Sequence, residues 1–361
     1  MQKYLTSVLI IFIVFGCNPS VQNKTEDYKK ITDALDREIM VPENVQKVVG
    51  LRAGTLRLLV YMDVVNLIAG IEEAEKRGSR PYILAHPDLL NTQTIGPTMG
   101  GEPELILKAM PDVIFMSYTT RGDADALQSK TGIPVIAIEC AEFGTERERL
   151  FKSFRIIGNV INRSSRADSL ISYIENSISF LQEMTTQIPE NKRPTAYIGG
   201  VSYSGAHGIS STQPYYPPFM FTNTKNVAST IDERLISHVK GTFVDIEKIM
   251  MWDPEYLFID ESGLQQVKSD FRNHPALYEH LNAIKNDKVY TLFAHNNYAT
   301  NYELVLANAW YIGKIVYPEH FEKINIQAKA AEILKVFLGQ NIYKELEQTK
   351  RVFKTIQKSA L

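Results

Sequence analysis

Cysteine is almost missing from this chain. Two occur in 361 residues, Cys17 and Cys140. One disulfide at most can form, so apolar cores must hold the fold. A surplus of positive charge is missing too: the formal net charge is -2, which leaves no basic footprint for nucleic acid. The seven histidines include no His-x-His or His-x-x-x-His pair, which argues against a bare zinc or manganese receptor. No Gly-Lys-Ser/Thr follows the glycines of GGVSYSGAHG, so that stretch is not a phosphate loop. A Gly-x-Ser-x-Gly nucleophile elbow is also lacking, and no catalytic constellation stands out.

One apolar run is present near the start. Residues 5–16 (LTSVLIIFIVFG) follow the basic opening Met1-Gln2-Lys3 and end at Cys17. The run is too short to span a bilayer and suits a signal-peptide core. The stretch Val14-Phe15-Gly16-Cys17 resembles a bacterial lipobox, which implies a lipid on Cys17 and leaves Cys140 unpaired. Residues 18–40 begin NPSVQNKTEDYKK and read as a flexible tether. The expectation is an exported, membrane-anchored lipoprotein facing the periplasm or the cell exterior.

Beyond the tether, a hydrophobic content of 44% is enough for two cores. Residues 45–51, 113–116, 135–138, 195–198, 256–259 and 289–292 read as buried strands. Amphipathic stretches at 55–69 and 102–109 alternate with them, so parallel sheets covered by helices are expected. From residue 145 to about 187 there is no proline, Thr145 and Glu148 have capping-box spacing, and Pro189 closes the run. The spacing predicts one helix of roughly 60 Å, at 1.5 Å per residue, between two α/β halves. A break near Gly158 is the alternative. The halves echo each other: ELILKAMPDVIF at 104–115 and EKIMMWDPEYLF at 247–258 both carry glutamate, proline seven residues on, an acid, then a strand.

These segments carry a resemblance. VVGLRAGTLRLLVYM, GEPELILKAMPDVIF, TGIPVIAIE, GTFVDIEKIMMWDPEYLFID and AIKNDKVYTLFAHNNY are similar to the siderophore- and cobalamin-binding proteins of ABC importers. The resemblance implies an α/β fold of two Rossmann-like lobes with parallel sheets, a rigid interlobe helix and a ligand cleft between the lobes. It divides the chain into signal peptide (1–17), tether (18–40), N-terminal lobe (41–144), interlobe helix (145–188) and C-terminal lobe (189–361). It implies a permease dimer with its ATPase as partner, docked through one glutamate per lobe, here Glu104 and Glu247. No intrinsic cofactor is implied. The cargo would be a metal chelate: an iron complex of the ferric siderophore type first, haem or a corrinoid next. Chelatases of similar bilobal layout are the enzymatic alternative, and export argues against them.

In open α/β sheets ligands sit beyond the carboxyl ends of strands. That rule directs attention to residues 52–55, 97–101 and 117–123 of the first lobe, and to 202–217, 261–263 and 293–301 of the second. Tyr118, Tyr203, Tyr215, Tyr216 and Tyr298 offer flat amphipathic faces there, and Met99 a soft apolar one. Arg52 and Arg121 suit anionic groups on a chelate. His207, flanked by Gly205 and Gly208, and His295 with Asn297 are candidate polar contacts, His207 also as a metal ligand within a chelate.

Overall fold

In the computed structural model, residues 27–361 are described apart from 78–79, 98, 238–240, 350–351 and 361. The signal run, Cys17 and the first part of the expected tether therefore lie outside the described residues. The remainder of the tether is not a tether. Residues 28–42 form an antiparallel hairpin, β1 (Tyr28–Thr32) and β2 (Glu38–Pro42), with Ile31, Ile39 and Val41 buried against the first lobe. The alternation of buried and exposed residues along both strands accounts for the pairing. Its turn is fastened by buried Asp33, which accepts from Arg37 and from the backbone of Ala137.

The first lobe holds a four-stranded parallel sheet in the order β4–β3–β5–β6. Its strands are β3 (Val48–Leu51), β4 (Ile68–Gly70), β5 (Val113–Met116) and β6 (Val135–Ala137). The second lobe repeats the plan in the order β12–β11–β7–β9, from β7 (Thr195–Gly199), β9 (Lys225–Asn226), β11 (Tyr256–Asp260) and β12 (Val289–Leu292). Two short strands, β8 (Ser211–Thr212) and β10 (Thr242–Phe243), pair antiparallel above this second sheet. The six strands expected from apolar runs all form. The stretch 55–69 is not one helix: it ends at Tyr61, Asp63 turns left-handed at φ 58°, and β4 follows.

The internal echo is structural. Helix Pro103–Ala109 ends at Met110 (φ 51°) and helix Ile246–Trp252 ends at Asp253 (φ 41°), each a left-handed cap leading into a central strand, β5 or β11. Those caps turn the chain back onto the sheet in the same way in both lobes.

The expected 145–188 rod is two helices, Arg147–Val160 and Ser164–Thr186, packed on one another. Asn162 takes φ 56° between them, and a Cβ on Gly158 would lie 3.1 Å from the Arg163 carbonyl, so the glycine makes room for the reversal. The capping box does not form; Thr145 donates instead to Glu142. Only Ser164–Thr186, roughly 35 Å at 1.5 Å per residue, runs on to the second lobe.

One continuous apolar core crosses between the lobes. It joins Val48 and Phe115 of the first sheet to Ile198 and Phe258 of the second through Phe151, Phe154, Tyr302 and Trp310. The outer face of each sheet carries a smaller core of its own. Two separate cores were expected, and their fusion ties the lobes into one packed body.

Candidate ligand-binding site

The lobes meet along two very different strips. On one, helix Thr55–Tyr61 is buried along its whole length, Arg57 included. The Arg57 guanidinium reaches into loop 293–301 of the second lobe. Nε donates to Asn301 Oδ1 (3.0 Å), one terminal nitrogen to the Thr300 carbonyl (2.9 Å), and the other to the Asn297 and Tyr298 carbonyls (2.9 and 3.0 Å). Tyr61 donates to the buried carboxyl of Glu303, and Tyr302 to the Ala141 carbonyl (2.9 Å). Burial pushes the Glu303 carboxyl up, and Arg57 partly offsets this. At Gly54 (φ +83°) a Cβ would sit 2.7 Å from Cys140 Sγ and 3.1 Å from Ala299, so this crossing tolerates no larger residue.

The other strip is a cavity of about 490 Å³. The first lobe contributes Tyr118 and Thr119 beyond β5, the segment 137–149 beyond β6, and Ala34 and Leu35 from the hairpin turn. The second lobe contributes Tyr203, Gln213, Asn296 and Thr300. The Tyr203 hydroxyl donates to the Thr212 carbonyl (2.9 Å), and burial pushes its pKa up to about 12, so it stays protonated. Cys140 faces the cavity as a thiol held protonated by burial, its pKa pushed up to about 12. Arg149 is the cation of this wall. It pairs bidentately with Glu139 (3.0 and 2.7 Å) and again with Glu146 (2.8 Å), and the Glu139 bonds hold it charged.

Of the residues expected at the cleft, Tyr118 and Tyr203 line this cavity and the others are elsewhere. Tyr216 is 1% exposed and packs edge-on against Phe219, a core residue rather than a ligand face. His295 is 3% exposed; burial lowers its pKa to about 4, so at pH 7 it is neutral and the Asp260 carboxylate 3.9 Å away is no ion-pair partner. Tyr298 lies on the first lobe with Arg80 over its ring and donates to Glu72. Asn297 is exposed, but its carbonyl belongs to Arg57. Arg52 donates to the Tyr118 carbonyl and to Asp123 (3.3 Å), Arg121 to the Leu35 carbonyl (2.9 Å), and neither lines the cavity. Met99 is exposed beyond it. Tyr215 donates to Glu233 over a shallow outer pocket of the second lobe.

His207 is half-buried, its ring edge-on to Phe243 at 5.1 Å. Of the glycines flanking it, Gly208 lies against Asp270, whose carboxylate oxygen a Cβ would meet at 2.2 Å, while Gly205 takes φ +141° with open space around it. The His207 carbonyl packs against Gly263 of the turn after β11, where a Cβ would lie 2.4 Å from it. Among the described residues no group of three or more His, Cys, Asp and Glu is arranged to hold a metal ion. Glu104 and Glu247 are exposed, each in the first turn of its seven-residue helix.

Sequence reasoning missed all four of Glu139, Glu142, Glu146 and Arg149: the last two were absorbed into the expected rod at 145–188, and the loop after 138 that carries the first two was not counted among the cleft loops. The signal was available: that loop leaves the carboxyl end of the strand at 135–138, where cleft loops begin.

Two parallel-sheet lobes, a crossing helix and an interlobe cavity make a bilobal body with a ligand-sized cleft. The chain belongs to the periplasmic binding protein family of ABC transporters, which it matches over residues 49–295. It is 22% identical over 330 residues to the molybdate-binding protein MolA of Haemophilus influenzae, across 85% of this chain and 90% of that one. Its fold is shared with a periplasmic solute-binding protein from Veillonella parvula (TM-score 0.68, 18% identity, 87% of this chain and 94% of that one). Helicobacter pylori CeuE, solved with a nickel–histidine complex, is similar at TM-score 0.60 and 17% identity, over 90% of this chain and 99% of that one. Among the described residues no helix is long and apolar enough to cross a membrane.

Proposed function

We propose that this protein captures a metal chelate, of the ferric siderophore type, in the interlobe cavity and delivers it to an ABC permease with its ATPase. The observation that carries the reading is the cavity itself: about 490 Å³, walled by both lobes and bearing the rings of Tyr118 and Tyr203. That volume falls within the range of about 300–1,000 Å³ that suits ligands of drug size. A tetrahedral oxyanion is only a few times the volume of one water, about 30 Å³, and would leave most of the space unfilled. Molybdate, which the Haemophilus relative binds, is therefore the less favoured cargo here. Titrating the purified protein with a ferric trihydroxamate, haem, a corrinoid and molybdate, and following intrinsic fluorescence, tests this. Saturation by molybdate alone would overturn it.

Delivery is proposed to use Glu104 and Glu247 as the contacts to cationic permease residues. Both are exposed, and both open helices of matched length and matched cap, which supports equivalent roles on the two lobes. Changing both to Arg should abolish uptake of the cargo in cells while leaving its affinity for the isolated protein within about twofold. Anchoring is proposed through a lipid on Cys17; Cys17→Ser should release the protein from membranes, because one weak apolar segment binds far less firmly than several acyl chains. An intact mass showing an unmodified mature N-terminus at another residue would overturn the anchor.

A further inference from the structure

The wall of the cavity is rich in carboxylate oxygens, and most of its side-chain donors already have partners. Arg149 gives its hydrogen bonds to Glu139 and Glu146. Thr145 donates to Glu142, Cys140 to the Ala53 carbonyl, Tyr203 to the Thr212 carbonyl and Asn296 to the Ser202 carbonyl. Against this stand two oxygens, Glu142 Oε1 and Gln213 Oε1, that are shielded from solvent and have no hydrogen-bond partner. Three carboxylates, Glu139, Glu142 and Glu146, share this wall with one guanidinium, Arg149, which leaves it two formal charges negative. The other guanidiniums near the cleft, Arg52, Arg57 and Arg121, are turned to backbone carbonyls, Asn301 and Asp123. Tyr118 adds an exposed ring, whose π face attracts cations and repels anions.

We infer that the cleft selects a cargo presenting a cationic, donor-rich face, such as an ammonium-bearing ferric chelate, and rejects anionic ones. The inference rests on the chelate reading for the identity of the cargo, but its charge rule can be tested apart from it. An anion brought beside Arg149 would find three of its five N–H donors occupied and two carboxylates alongside. A primary ammonium, with three donors and no acceptor, would find carboxylate oxygens and an aromatic face.

The experiment uses one ferric trihydroxamate scaffold in three forms: with a free pendant ammonium, with that amine acetylated, and with it capped by a carboxylate. Affinities are measured by calorimetry at low and at high salt, on wild type and on the double variant Glu139→Gln/Glu146→Gln. The expected order is ammonium, then acetyl, then carboxylate, about tenfold apart per unit charge at low salt and converging at high salt. In the double variant, Arg149 is freed of both carboxylates, so the ammonium form should weaken while the carboxylate form tightens. A merely structural role for the two glutamates would weaken all three forms together. Equal binding of the three forms, or a preference for the carboxylate, would overturn the inference.

If none of the three binds, the chelate reading fails, and a second pair decides the charge rule. Hexaamminecobalt(III) is an inert cation that presents only N–H donors, and molybdate is an anion that presents only acceptors. Binding of the cobalt complex that is lost in the double variant upholds the rule. Silence from the cobalt complex, or binding of molybdate, overturns it.

Discussion

The two strips along which the lobes meet are built from opposite materials. On the Arg57 side most of the polar groups that cross are matched by a partner and largely shielded from water: a buried guanidinium meets three carbonyls and an amide oxygen, and Tyr302 meets Ala141, while Glu303 Oε1 is left without a partner. On the cavity side the charges are partly exposed, Arg149 and Glu146 about half so, and acceptors outnumber donors. A seam of the first kind resists separation, since opening it would strand a buried charge and several carbonyls. A surface of the second kind can exchange solvent for a ligand at little conformational cost. With one core running through both lobes, capture does not call for hinge closure about the crossing helix; the cleft stands ready. Loop 293–301 belongs to both strips, its carbonyls held by Arg57 while Asn296 and Thr300 face the cavity. Any order that the seam imposes is thereby passed to the cleft.

The seam is most sensitive at Arg57. Arg57→Met keeps the length and apolar body but leaves the acceptors of loop 293–301 unmatched and removes the cation that offsets the burial of Glu303. Losing one partner from a buried ionic network costs about 3–5 kcal/mol. Urea unfolding should show a much lower midpoint. A change below about 1 kcal/mol would mean that the apolar core alone joins the lobes.

How much of this was legible beforehand differs between the strips. The sheets were, because parallel strands buried on both faces read as unbroken apolar runs, as in VVGL and VIFM. The paired helices at 103–109 and 246–252 were legible through their glutamate and proline register. The cavity was half legible. Its aromatic rings lie on loops that the strand-end rule identifies, whereas Glu146 and Arg149 were lost inside the proline-free run from 145, and Glu139 and Glu142 sit on a strand-end loop that was passed over. The reversal within that run depends on Asn162 adopting a left-handed conformation, a signal that Asn-Arg-Ser-Ser carries only weakly. The seam was illegible. Nothing local marks Arg57 as buried: its partners lie more than two hundred residues along the chain, and within LRLLVY it reads as an ordinary solvent-facing helical position. His295 and Tyr216 were misread for a related reason. Side chains that can bind ligands can also fill cores, and local sequence does not separate the two.

His295 makes the loop shared by the two strips sensitive to pH. It sits at the base of loop 293–301, its carbonyl accepting from the backbone and side chain of Asn301. Burial depresses its pKa from 6.5 to about 4. Between those values the unfolded chain takes up a proton that the folded one refuses, so stability is full above pH 6.5 and falls as the pH drops toward 4. The raised carboxyls of Glu72, Glu75 and Glu303 act in the opposite sense, since the folded state binds their protons first. Comparing wild type with His295→Asn at each pH isolates the histidine. The wild type should lose up to about 3 kcal/mol more than the variant between pH 6.5 and 4. Parallel curves would show that His295 is solvated in the native state.

The smallest effect belongs to the cleft, and it is the one that most cleanly separates the two strips. Tyr118 is 57% exposed, so truncation removes little that the fold depends on, while taking one aromatic face from the cavity wall. Tyr118→Ala should weaken binding of the cargo by about 1–2 kcal/mol, the usual scale for one aromatic anchor, and leave the unfolding midpoint within about 0.5 kcal/mol of wild type. This is the reverse of Arg57→Met, which acts on stability first. His207→Ala supplies the control. Its ring packs against Phe243 outside the cavity, so affinity should stay within about twofold while stability falls slightly with the lost ring contact. Calorimetric titration beside melting curves for the two variants reads both quantities. A loss of affinity in His207→Ala that equals or exceeds that in Tyr118→Ala would move the binding surface from the interlobe cavity to the glycine-rich loop after β7.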